Sequence, residues 1–406
     1  MNGPLIDSKP RSYRPYLILL YAQDQRGLGH INRTLTIARH LLAAHPRAVA
    51  YIATRSPINN GFVMPERCDL IKLATRMVPD CFPRDVEDKR HFRRARRHML
   101  RDAAECLSPD LVIVDHEPLG ANGEFREGLY ALREMRPDAT LIFGLRDIMD
   151  DPDRIKEQWH ATGAYGAFRS LFDGIAVYGS RQLFDVAEAY GIPEDVRPKL
   201  HYCGYMVRDL PAMEPAEVRR RHGLPLDGPL VVATVGGGCD GYPVLEAAQE
   251  AIAHLQRARP DLSSILVTGP FMPADLKTAL MAKATPRCLV VESADIFQLI
   301  SASDTVVGMG GFNTVCEALS CGRPLVIVPR STDKTEQEIR ARILADQGLA
   351  RWIHPKELTP GRLAEALEWG LRCDRKALAG RRREVIPSFD GAARLTQYLD
   401  RWMNGV

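Results

Sequence analysis

The sequence predicts an α/β protein in which two Rossmann-like, doubly wound parallel-sheet domains face a central cleft. Its 406 residues exceed what one ordinary core organises, so two domains are expected. Short apolar runs alternate with segments of helical spacing along nearly the whole chain. Such alternation is typical of parallel sheets with helices on both faces. A proline-rich linker over residues 205–229 divides the alternation into two series.

The first series forms the predicted N-terminal domain, residues 1–208. Its first helix, 34–43, carries Leu35, Ala38, Leu41 and Leu42 on one face, a spacing that favours burial against a sheet. The strands of this domain are predicted at 17–21, 48–53, 111–114, 140–144, 174–178 and 201–203.

The second series forms the predicted C-terminal domain, residues 209–387, which begins with a short helix in the linker. Its strands are predicted at 230–234, 264–268, 288–291, 305–307 and 325–328, alternating with helices at 243–257, 273–284, 295–301, 313–320 and 333–346. A last helix, 392–403, follows Pro387. Ligands of open parallel sheets bind outside the carboxyl ends of the strands, so residues that follow strands are the site candidates.

Composition narrows the function classes. The 45% hydrophobic and 26% charged fractions are those of a soluble globular protein, and a net charge of +3 disfavours a general nucleic-acid binder. The nine cysteines include no Cys-x-x-Cys pair, which favours free thiols in a reducing, cytoplasmic compartment. The apolar run 16–22 is too short to span a bilayer, and residues 1–15 lack the apolar core of a signal peptide.

A glycine-rich turn that opens a helix is the most informative motif. Residues 308–317 read Gly-Met-Gly-Gly-Phe-Asn-Thr-Val-Cys-Glu, directly after a predicted strand. Glycines there let a ligand approach the backbone, and the N–H groups of a helix N-terminus can bind a phosphate. Glu317 lies one turn inside, where a carboxylate can accept hydrogen bonds from sugar hydroxyls. The motif predicts a nucleotide-sugar site, although glycine-rich turns also occur in doubly wound sheets without one.

A second glycine turn follows the first strand. Gly29 and His30 end a Gly-Leu-Gly-His sequence that opens a helix, so His30 is expected beside the cleft. Histidine can accept a proton near pH 7 with little tuning, which makes His30 a candidate general base. A histidine that merely caps the helix is the alternative reading.

The strand at 111–114 ends in an acidic residue and a histidine. Asp115 either orients His30 as its hydrogen-bond partner or simply begins a loop. The consecutive side chains of Asp115, His116 and Glu117 do not easily converge on one ion, so no metal site is expected.

Two further strand ends carry candidates. Gly236, Gly237 and Gly238 precede Cys239 after the strand at 230–234, where free N–H groups could form an anion nest or the loop could serve as a hinge. Arg146 follows the strand at 140–144 and is a candidate contact for an acceptor or a phosphate.

A basic run precedes the strand at 111–114. Its seven cations are Lys89, Arg90, Arg93, Arg94, Arg96, Arg97 and Arg101, with no acid among them. Such a run is usually a solvated helix face. Arg93, Arg97 and Arg101 share one side at helical spacing, so they are candidates to meet an anionic acceptor or anionic lipid headgroups.

Taken together, these motifs resemble the GT-B glycosyltransferases. The likeness is to family 28, which includes peptidoglycan N-acetylglucosaminyltransferases, and the turn before Arg33 is also similar to that of the UDP-sugar hydrolase of the pseudaminic acid pathway. The resemblance implies a donor site in the C-terminal domain, an acceptor side in the N-terminal domain, and a terminal helix within 388–406 that crosses back to the latter.

The resemblance also implies roles for particular residues. His30 would be the general base and Asp115 its partner, while Ser293 would lie beside the nucleobase. Donor contacts are expected from Gly29, Gly236, Gly237, Gly238, Cys239, Ser293, Gly310, Gly311, Phe312, Asn313, Thr314, Glu317, Glu336 and Gln337. Acceptor contacts are expected from Arg33, His116 and Arg146. Phe312, Asn313 and Glu292 depart from the pattern of family 28, which leaves the donor base open.

We therefore expect an inverting glycosyltransferase that moves a sugar from a nucleotide-diphosphate donor, a UDP-sugar by preference, to an acceptor hydroxyl. No cofactor is expected, and no metal site of the Asp-x-Asp type is evident, which predicts metal independence. The alternatives are a nucleotide-sugar hydrolase with water as acceptor and a non-catalytic nucleotide-sugar binding protein. The expected location is the cytoplasm, with peripheral contact at the inner membrane face through residues 89–101.

Overall fold

The structure is a computed structural model that describes residues 14–23, 29–56, 63–75, 86–209, 213–330 and 335–403, apart from the side chains of 86–89. Within these residues the chain forms two parallel sheets flanked by helices, which confirms the predicted fold class. The two sheets meet at a cleft formed by the loops that follow their strands.

Seven parallel strands form the first sheet. They are β1 (Tyr16–Ala22), β2 (Ala48–Thr54), β3 (Cys68–Lys72), β4 (Leu111–Asp115), β5 (Thr140–Arg146), β6 (Gly174–Tyr178) and β7 (Leu200–Tyr202). Their order in the sheet is β3-β2-β1-β4-β5-β6-β7. The order reverses where β1 pairs with β4, so the segments after these two strands border the crevice where ligands of such sheets bind.

Helices cover both faces of the first sheet. They are α1 (Gly29–Ala44), α2 (Val86–Leu107), α3 (Arg126–Met135), α4 (Pro152–Thr162), α5 (Ala164–Ser170) and α6 (Val186–Ala189). The apolar stripe of α1, including Leu35 and Leu41, is buried in the core. Helix α2 buries only every fourth position, Arg96, Leu100 and Ala104, so one narrow side of it faces the protein.

The second domain begins with α7 (Pro215–Arg221) and contains six parallel strands. They are β8 (Leu230–Thr234), β9 (Ser263–Val267), β10 (Cys288–Val291), β11 (Thr305–Gly308), β12 (Leu325–Ile327) and β13 (Ala350–Trp352). The order is β10-β9-β8-β11-β12-β13. The switch between β8 and β11 sets the two glycine loops that follow them side by side at the edge of the cleft.

The helices of the second domain alternate with its strands. They are α8 (Tyr242–Gln256), α9 (Ala274–Ala282), α10 (Ile296–Ala302), α11 (Phe312–Ser320), α12 (Glu336–Asp346), α13 (Pro360–Arg372) and α14 (Arg375–Val385). Helix α12 begins three residues later than expected, and residues 331–334 lie outside the described residues.

Apolar contacts join the two domains. One cluster of buried side chains extends from β1 and α1 to α11 and α12, and the rings of Tyr205 and Phe312 meet across the boundary at 5.8 Å. The last helix, α15 (Gly391–Met403), packs against α1 of the first domain. Tyr398 on this helix stacks on His201 with 4.0 Å between ring centroids.

Within the described ranges, no helix combines the length and the apolar composition needed to cross a membrane.

Candidate active site in the interdomain cleft

A histidine and a carboxylate meet at the sheet edge where β1 and β4 end. His30 Nδ1 lies 2.5 Å from Asp115 Oδ2, and the two side chains are 18% and 3% exposed. His30 enters the cleft because α1 begins at Gly29, whereas Asp115 is the last residue of β4. Residues 24–28, which include the first glycine of this turn, lie outside the described residues.

Arg33 completes this group from the next turn of α1. Its Nη2 donates to Asp115 Oδ1 at 2.8 Å and to Oδ2 at 2.7 Å, and its Nε donates to Oδ1 at 3.1 Å. The guanidinium is 2% exposed, so Arg33 does not open onto the cleft as expected for an acceptor contact. It holds the carboxylate that faces His30.

The charges around Asp115 fix its protonation. Burial alone would raise the pKa of Asp115, but the charges and hydrogen bonds of Arg33 and His30 lower it from 3.8 to about 2. Arg33 Nη2 lies 3.0 Å from His30 Nδ1, but the carboxylate is nearer, at 2.5 Å. Because an ionised carboxylate can only accept hydrogen bonds, we place the proton between the two residues on His30 Nδ1. That tautomer places the ring's lone pair on Nε2, as a general base requires.

His116 adds a second ring beside the first. Its centroid lies 4.9 Å from that of His30, and its backbone φ is +77°, a conformation that non-glycine residues seldom adopt. Strain of this kind clusters at functional sites. The strained backbone and the ring contact with His30 are consistent with the prediction that His116 contacts the acceptor.

The N-terminus of α11 faces the N-terminus of α1 across the cleft. Gly310 has φ +78°, and a Cβ there would lie 3.0 Å from Ile327 and 3.2 Å from the Gln337 carbonyl oxygen. Gly311 caps α11 without a side-chain hydrogen bond. The first N–H groups of α11 therefore depend on partners other than the cap residue. A Cβ at Gly29 would lie 3.8 Å from Asn313 Nδ2, which measures how closely the two helix starts approach.

Phe312 has a structural role that the sequence did not predict. Its ring is buried at the domain boundary, and the guanidinium carbons of Arg33 and Arg340 lie 5.4 and 5.8 Å from its centroid. Phe312 can therefore contact a nucleotide-sugar only through its backbone, whereas the side chains of Asn313 and Thr314 are partly exposed.

The glycines after β8 differ in their surroundings. Gly238 has φ +93°, and a Cβ there would lie 2.1 Å from the Thr268 carbonyl oxygen, so packing requires glycine. Gly236 has φ +63°, and a Cβ there would meet nothing within 4 Å. Gly237 accepts a hydrogen bond from the Phe271 amide at 2.8 Å. Gly236 and the exposed Cys239 are thus the parts of this loop that are open to a ligand.

Arg330 is a residue that sequence reasoning missed. It follows β12, and its Nε lies 2.5 Å from Asp240 Oδ2 beside the glycine loop. Its backbone N–H donates to Gln337 Oε1 at 3.0 Å. Buried Gln337 therefore orients this arginine segment rather than presenting its oxygen to a ligand. The Gly-x-Pro-strand pattern that ends at 329 could have indicated this cation.

Glu317 lies where a donor ribose is expected, and it is mostly buried. Arg208 Nε is 3.7 Å from its Oε1, and Arg208 also forms an ion pair with Asp295. Burial raises the pKa of Glu317 from 4.5 to about 7, against the opposing charge of Arg208. Arg208 comes from the linker, and its sequence context gave no signal of this role.

Glu336 connects the two domains. Arg146 Nη2 donates to Glu336 Oε2 at 2.9 Å, and both side chains are largely buried. Nearby, Asp150 Oδ1 accepts from the Thr335 amide at 2.9 Å and from its hydroxyl at 3.0 Å. The segment after β5 thus fixes the start of α12, where a donor sugar is expected.

The remaining predicted residues lie at the rim. Ser293 is exposed after β10, and the neighbouring Glu292 accepts from Lys277 Nζ at 2.8 Å. Among the residues that the structure describes, no three His, Cys, Asp or Glu side chains are grouped to hold a metal ion.

The basic run lies on α2. Arg93 and Arg94 are exposed, while Arg97 pairs with Glu127 at 3.3 Å and Arg101 with Glu105 at 2.6 Å. The predicted face of Arg93, Arg97 and Arg101 is thus partly neutralised by acids from the neighbouring turn and helix. Lys89 lies where side chains are not described.

Comparison with known proteins gives relatives among the glycosyltransferases. Residues 232–388, most of the second domain, match the glycosyltransferase family 28 C-terminal domain. An uncharacterized glycosyltransferase of Methanopyrus kandleri is 26% identical over 205 residues, 50% of this chain and 55% of that protein. A UDP-N-acetylglucosamine--N-acetylmuramyl-(pentapeptide) pyrophosphoryl-undecaprenol N-acetylglucosamine transferase of Exiguobacterium sibiricum is 30% identical over 156 residues, 38% of this chain and 42% of that protein. The chain spans about half the length of these curated relatives.

Solved structures share the whole fold. The calicheamicin glycosyltransferase CalG4 has a TM-score of 0.65 at 18% identity and covers 97% of this chain and 99% of its own. UGT2 of Phytolacca americana, complexed with UDP-2-fluoro-glucose and pterostilbene, has a TM-score of 0.66 at 14% identity, covering 96% and 100%. The chain therefore has the two-domain GT-B fold. The predicted resemblance to family 28 is confirmed for the second domain, of which residues 232–388 match the C-terminal domain of that family.

Proposed function

We propose that this protein is an inverting glycosyltransferase that moves a sugar from a nucleotide-diphosphate donor to an acceptor hydroxyl, with His30 as general base. The observation that carries the proposal is the 2.5 Å contact between His30 Nδ1 and Asp115 at the mouth of a cleft whose opposite wall is the open N-terminus of α11. On one side of the cleft His30 can accept a proton, and on the other side the N–H groups at the start of α11 can bind a diphosphate.

The reaction follows from this arrangement. His30 Nε2 takes the proton of the acceptor hydroxyl as its oxygen attacks the anomeric carbon, and the bond from that carbon to the diphosphate oxygen breaks. Attack from the side opposite the leaving group inverts the anomeric configuration. Asp115 keeps the imidazole in the required tautomer and stabilises the imidazolium that forms. The N–H groups at Gly311 and Phe312 and the loop at Gly236 would stabilise the departing diphosphate without a metal ion.

The donor is proposed to be a UDP-sugar. The relative from Exiguobacterium sibiricum carries a UDP-sugar in its name and is 30% identical to this chain over 156 residues. Glu317 would accept hydrogen bonds from the ribose hydroxyls, and Glu336 would contact the sugar. The same relative's name includes a lipid-linked acceptor, pyrophosphoryl-undecaprenol. An anionic or lipid-linked acceptor is therefore proposed here, with peripheral contact at the cytoplasmic membrane face through exposed Arg93 and Arg94.

The test begins with the donor. Thermal shift of the purified full chain against UDP-, GDP-, dTDP- and ADP-sugars should give the largest stabilisation with a UDP-sugar. The preferred donor is then incubated alone and with candidate hydroxyl acceptors, and products are followed by NMR. Transfer with inverted anomeric configuration is the expected result. Free sugar at the same rate with and without acceptor would make the protein a hydrolase, and binding without turnover would make it a nucleotide-sugar binding protein.

A further inference from the structure

Arg33 lies between two aromatic rings and the pair of His30 and Asp115, which we call the dyad. Its guanidinium holds the Asp115 carboxylate, and its Nη2 also lies 3.0 Å from His30 Nδ1. The ring centroids of Tyr178 and Phe312 are each 5.4 Å from its guanidinium carbon, a distance at which a cation and an aromatic ring attract one another. The two rings therefore help to orient the group that holds Asp115.

The two rings belong to different domains. Tyr178 is the last residue of β6, in the same domain as Arg33, whereas Phe312 is the first residue of α11 in the second domain. Both rings are buried, so neither is free to turn into the cleft. The position of Arg33 is thus set in part by the domain that does not contain the dyad.

Phe312 is itself held at the domain boundary. Arg340 Nη1 donates to the Gly310 carbonyl oxygen at 2.7 Å, and its Nη2 donates to that of Ile148, in the first domain, at 3.1 Å. The guanidinium carbon of Arg340 and the ring centroid of Tyr205 each lie 5.8 Å from the centroid of Phe312. Because these contacts restrict the ring, it can in turn restrict a neighbouring guanidinium.

The backbone of Phe312 faces the proposed donor site. Its N–H group is the first of α11, after a cap residue that makes no side-chain hydrogen bond. The first N–H groups of a helix lack partners within the helix and can bind a phosphate. One residue therefore has its backbone on the diphosphate side of the cleft and its ring on the side of the base.

A second phenylalanine at the same boundary offers a comparison. The centroid of Phe389 lies 6.1 Å from that of Tyr205, and the guanidinium carbon of Arg382 lies 5.2 Å from it. Phe389 packs against the same apolar cluster as Phe312. Its arginine, however, belongs to α14 and donates to the Ile386 carbonyl rather than to the dyad.

We propose that Phe312 is a positioning residue for the base: its ring fixes Arg33 from the second domain, and Arg33 holds Asp115 against His30. This inference rests on the proposed function, in which His30 is the general base. It follows that the dyad is fully ordered only while the start of α11 packs against the first domain. Phe312 departs from the pattern of family 28, so the family resemblance does not supply this role.

The experiment compares the full-length wild type with Phe312→Leu and Phe389→Leu, each shown to be folded by thermal unfolding. Leucine keeps an apolar side chain but removes the ring. In Phe312→Leu, kcat should fall about tenfold or more, because displacement of a catalytic group is that costly, while the donor dissociation constant stays within about threefold. In Phe389→Leu, kcat and donor affinity should both stay close to the wild-type values.

A spectroscopic readout tests the same proposal without turnover. The His30 Nδ1–H proton is followed by NMR in ligand-free protein with isotopically labelled histidine, and it is assigned by its loss in His30→Ala. A short hydrogen bond to a carboxylate moves such a proton downfield and slows its exchange with water. In Phe312→Leu the signal should move upfield or broaden, whereas Phe389→Leu should keep the wild-type signal.

An unchanged His30 signal or an unchanged kcat in Phe312→Leu would overturn the proposal. Equal changes in Phe312→Leu and Phe389→Leu would also overturn it, because they would assign the effect to domain packing in general. If Phe312→Leu fails to fold, Phe312→Met carries the same test, since the flexible methionine side chain fills irregular space without a ring.

The two readouts separate this proposal from the proposed function. An altered His30 signal in Phe312→Leu, together with no sugar transfer by the wild type, would refute only the proposed function. Sugar transfer by the wild type, together with a wild-type His30 signal in Phe312→Leu, would refute only the positioning role of Phe312.

Discussion

Arg33 holds both carboxylate oxygens of Asp115, with its Nη2 2.8 Å from Oδ1 and 2.7 Å from Oδ2. The pair is almost completely buried, and the same carboxylate binds His30. The dyad is therefore a triad in structural terms, in which an arginine three residues after the histidine keeps the partner carboxylate ionised and in place.

Replacing Arg33 by Gln should destabilise the protein. The substitution leaves the buried Asp115 carboxylate with one partner fewer. Breaking such a buried ion pair lowers the free energy of unfolding by about 3–5 kcal/mol. The pKa of Asp115 is lowered to about 2, so its pairing contributes stability above pH 4 that is lost as pH falls toward 2. Urea unfolding at pH 7 and at pH 3 measures both effects, and the difference between the two pH values should shrink in the variant.

Arg39→Gln is the matched control, because Arg39 lies on the same helix and, among the described residues, donates to the carbonyl of exposed Val63. It should change the free energy of unfolding by no more than about 0.5 kcal/mol. Equal stability of Arg33→Gln and Arg39→Gln would show that the buried pair does not stabilise the fold.

Donor affinity should depend on pH through Glu317. Its pKa is raised to about 7, and the ionised form is the better acceptor for ribose hydroxyls. Affinity should therefore increase as pH rises from 6 to 8. Because the folded protein retains a proton that the unfolded chain loses near pH 4.5, this group's contribution to stability falls over the interval up to about pH 7.

Calorimetry with a UDP-sugar, whose diphosphate diester does not titrate in this range, measures the effect. Glu317→Gln should bind about tenfold more weakly at pH 8, since a hydrogen bond to a charged group contributes roughly 1.5–3 kcal/mol, and its affinity should not vary with pH. The same pH profile in both proteins, with an intact fold, would remove Glu317 from the donor site.

The fold was predictable because its strands are buried and apolar. β6, β8 and β10 have the predicted bounds, since apolar runs between turn residues mark them clearly. β3 and β13 were missed because they are short edge strands: β3 contains exposed Asp69, and β13 contains exposed Arg351. Neither has the alternation or the apolar run that identifies a strand from sequence.

The site was predictable where local motifs carry it. The glycine turns placed His30 and Glu317, and the end of β4 placed Asp115. Arg208 could not be predicted, because its place depends on Asp295, a residue distant in sequence. An arginine in isolation is most often a solvated surface residue, and only the fold shows which ones are buried.

Transfer should not require a divalent ion. Asp151 and Asp153 form an Asp-x-Asp after β5, but Asp151 caps α4 by accepting from the Asp153 and Arg154 amides. The open N-termini and cations of the cleft are available to stabilise the leaving diphosphate. Initial rates measured after EDTA treatment should stay within about twofold of the untreated rate. A catalytic Lewis acid lowers the activation barrier by several kcal/mol, so its removal would slow the reaction far more than twofold. Activity lost with EDTA and restored only by magnesium or manganese would contradict the proposed chemistry.

His30 should affect chemistry far more than donor binding, because it belongs to the first domain, whereas the nucleotide is proposed to bind to the second. A general base contributes roughly 10²–10⁴-fold, so His30→Ala should reduce kcat by that order. Donor affinity by calorimetry should stay within a small factor. Asp115→Asn should show the same pattern in milder form, measured at a temperature where thermal unfolding shows both variants folded, because this substitution also leaves Arg33 without its carboxylate. The useful comparison is kcat against donor affinity in both variants, and a His30→Ala protein with near-full turnover would reduce His30 to the residue that begins a helix.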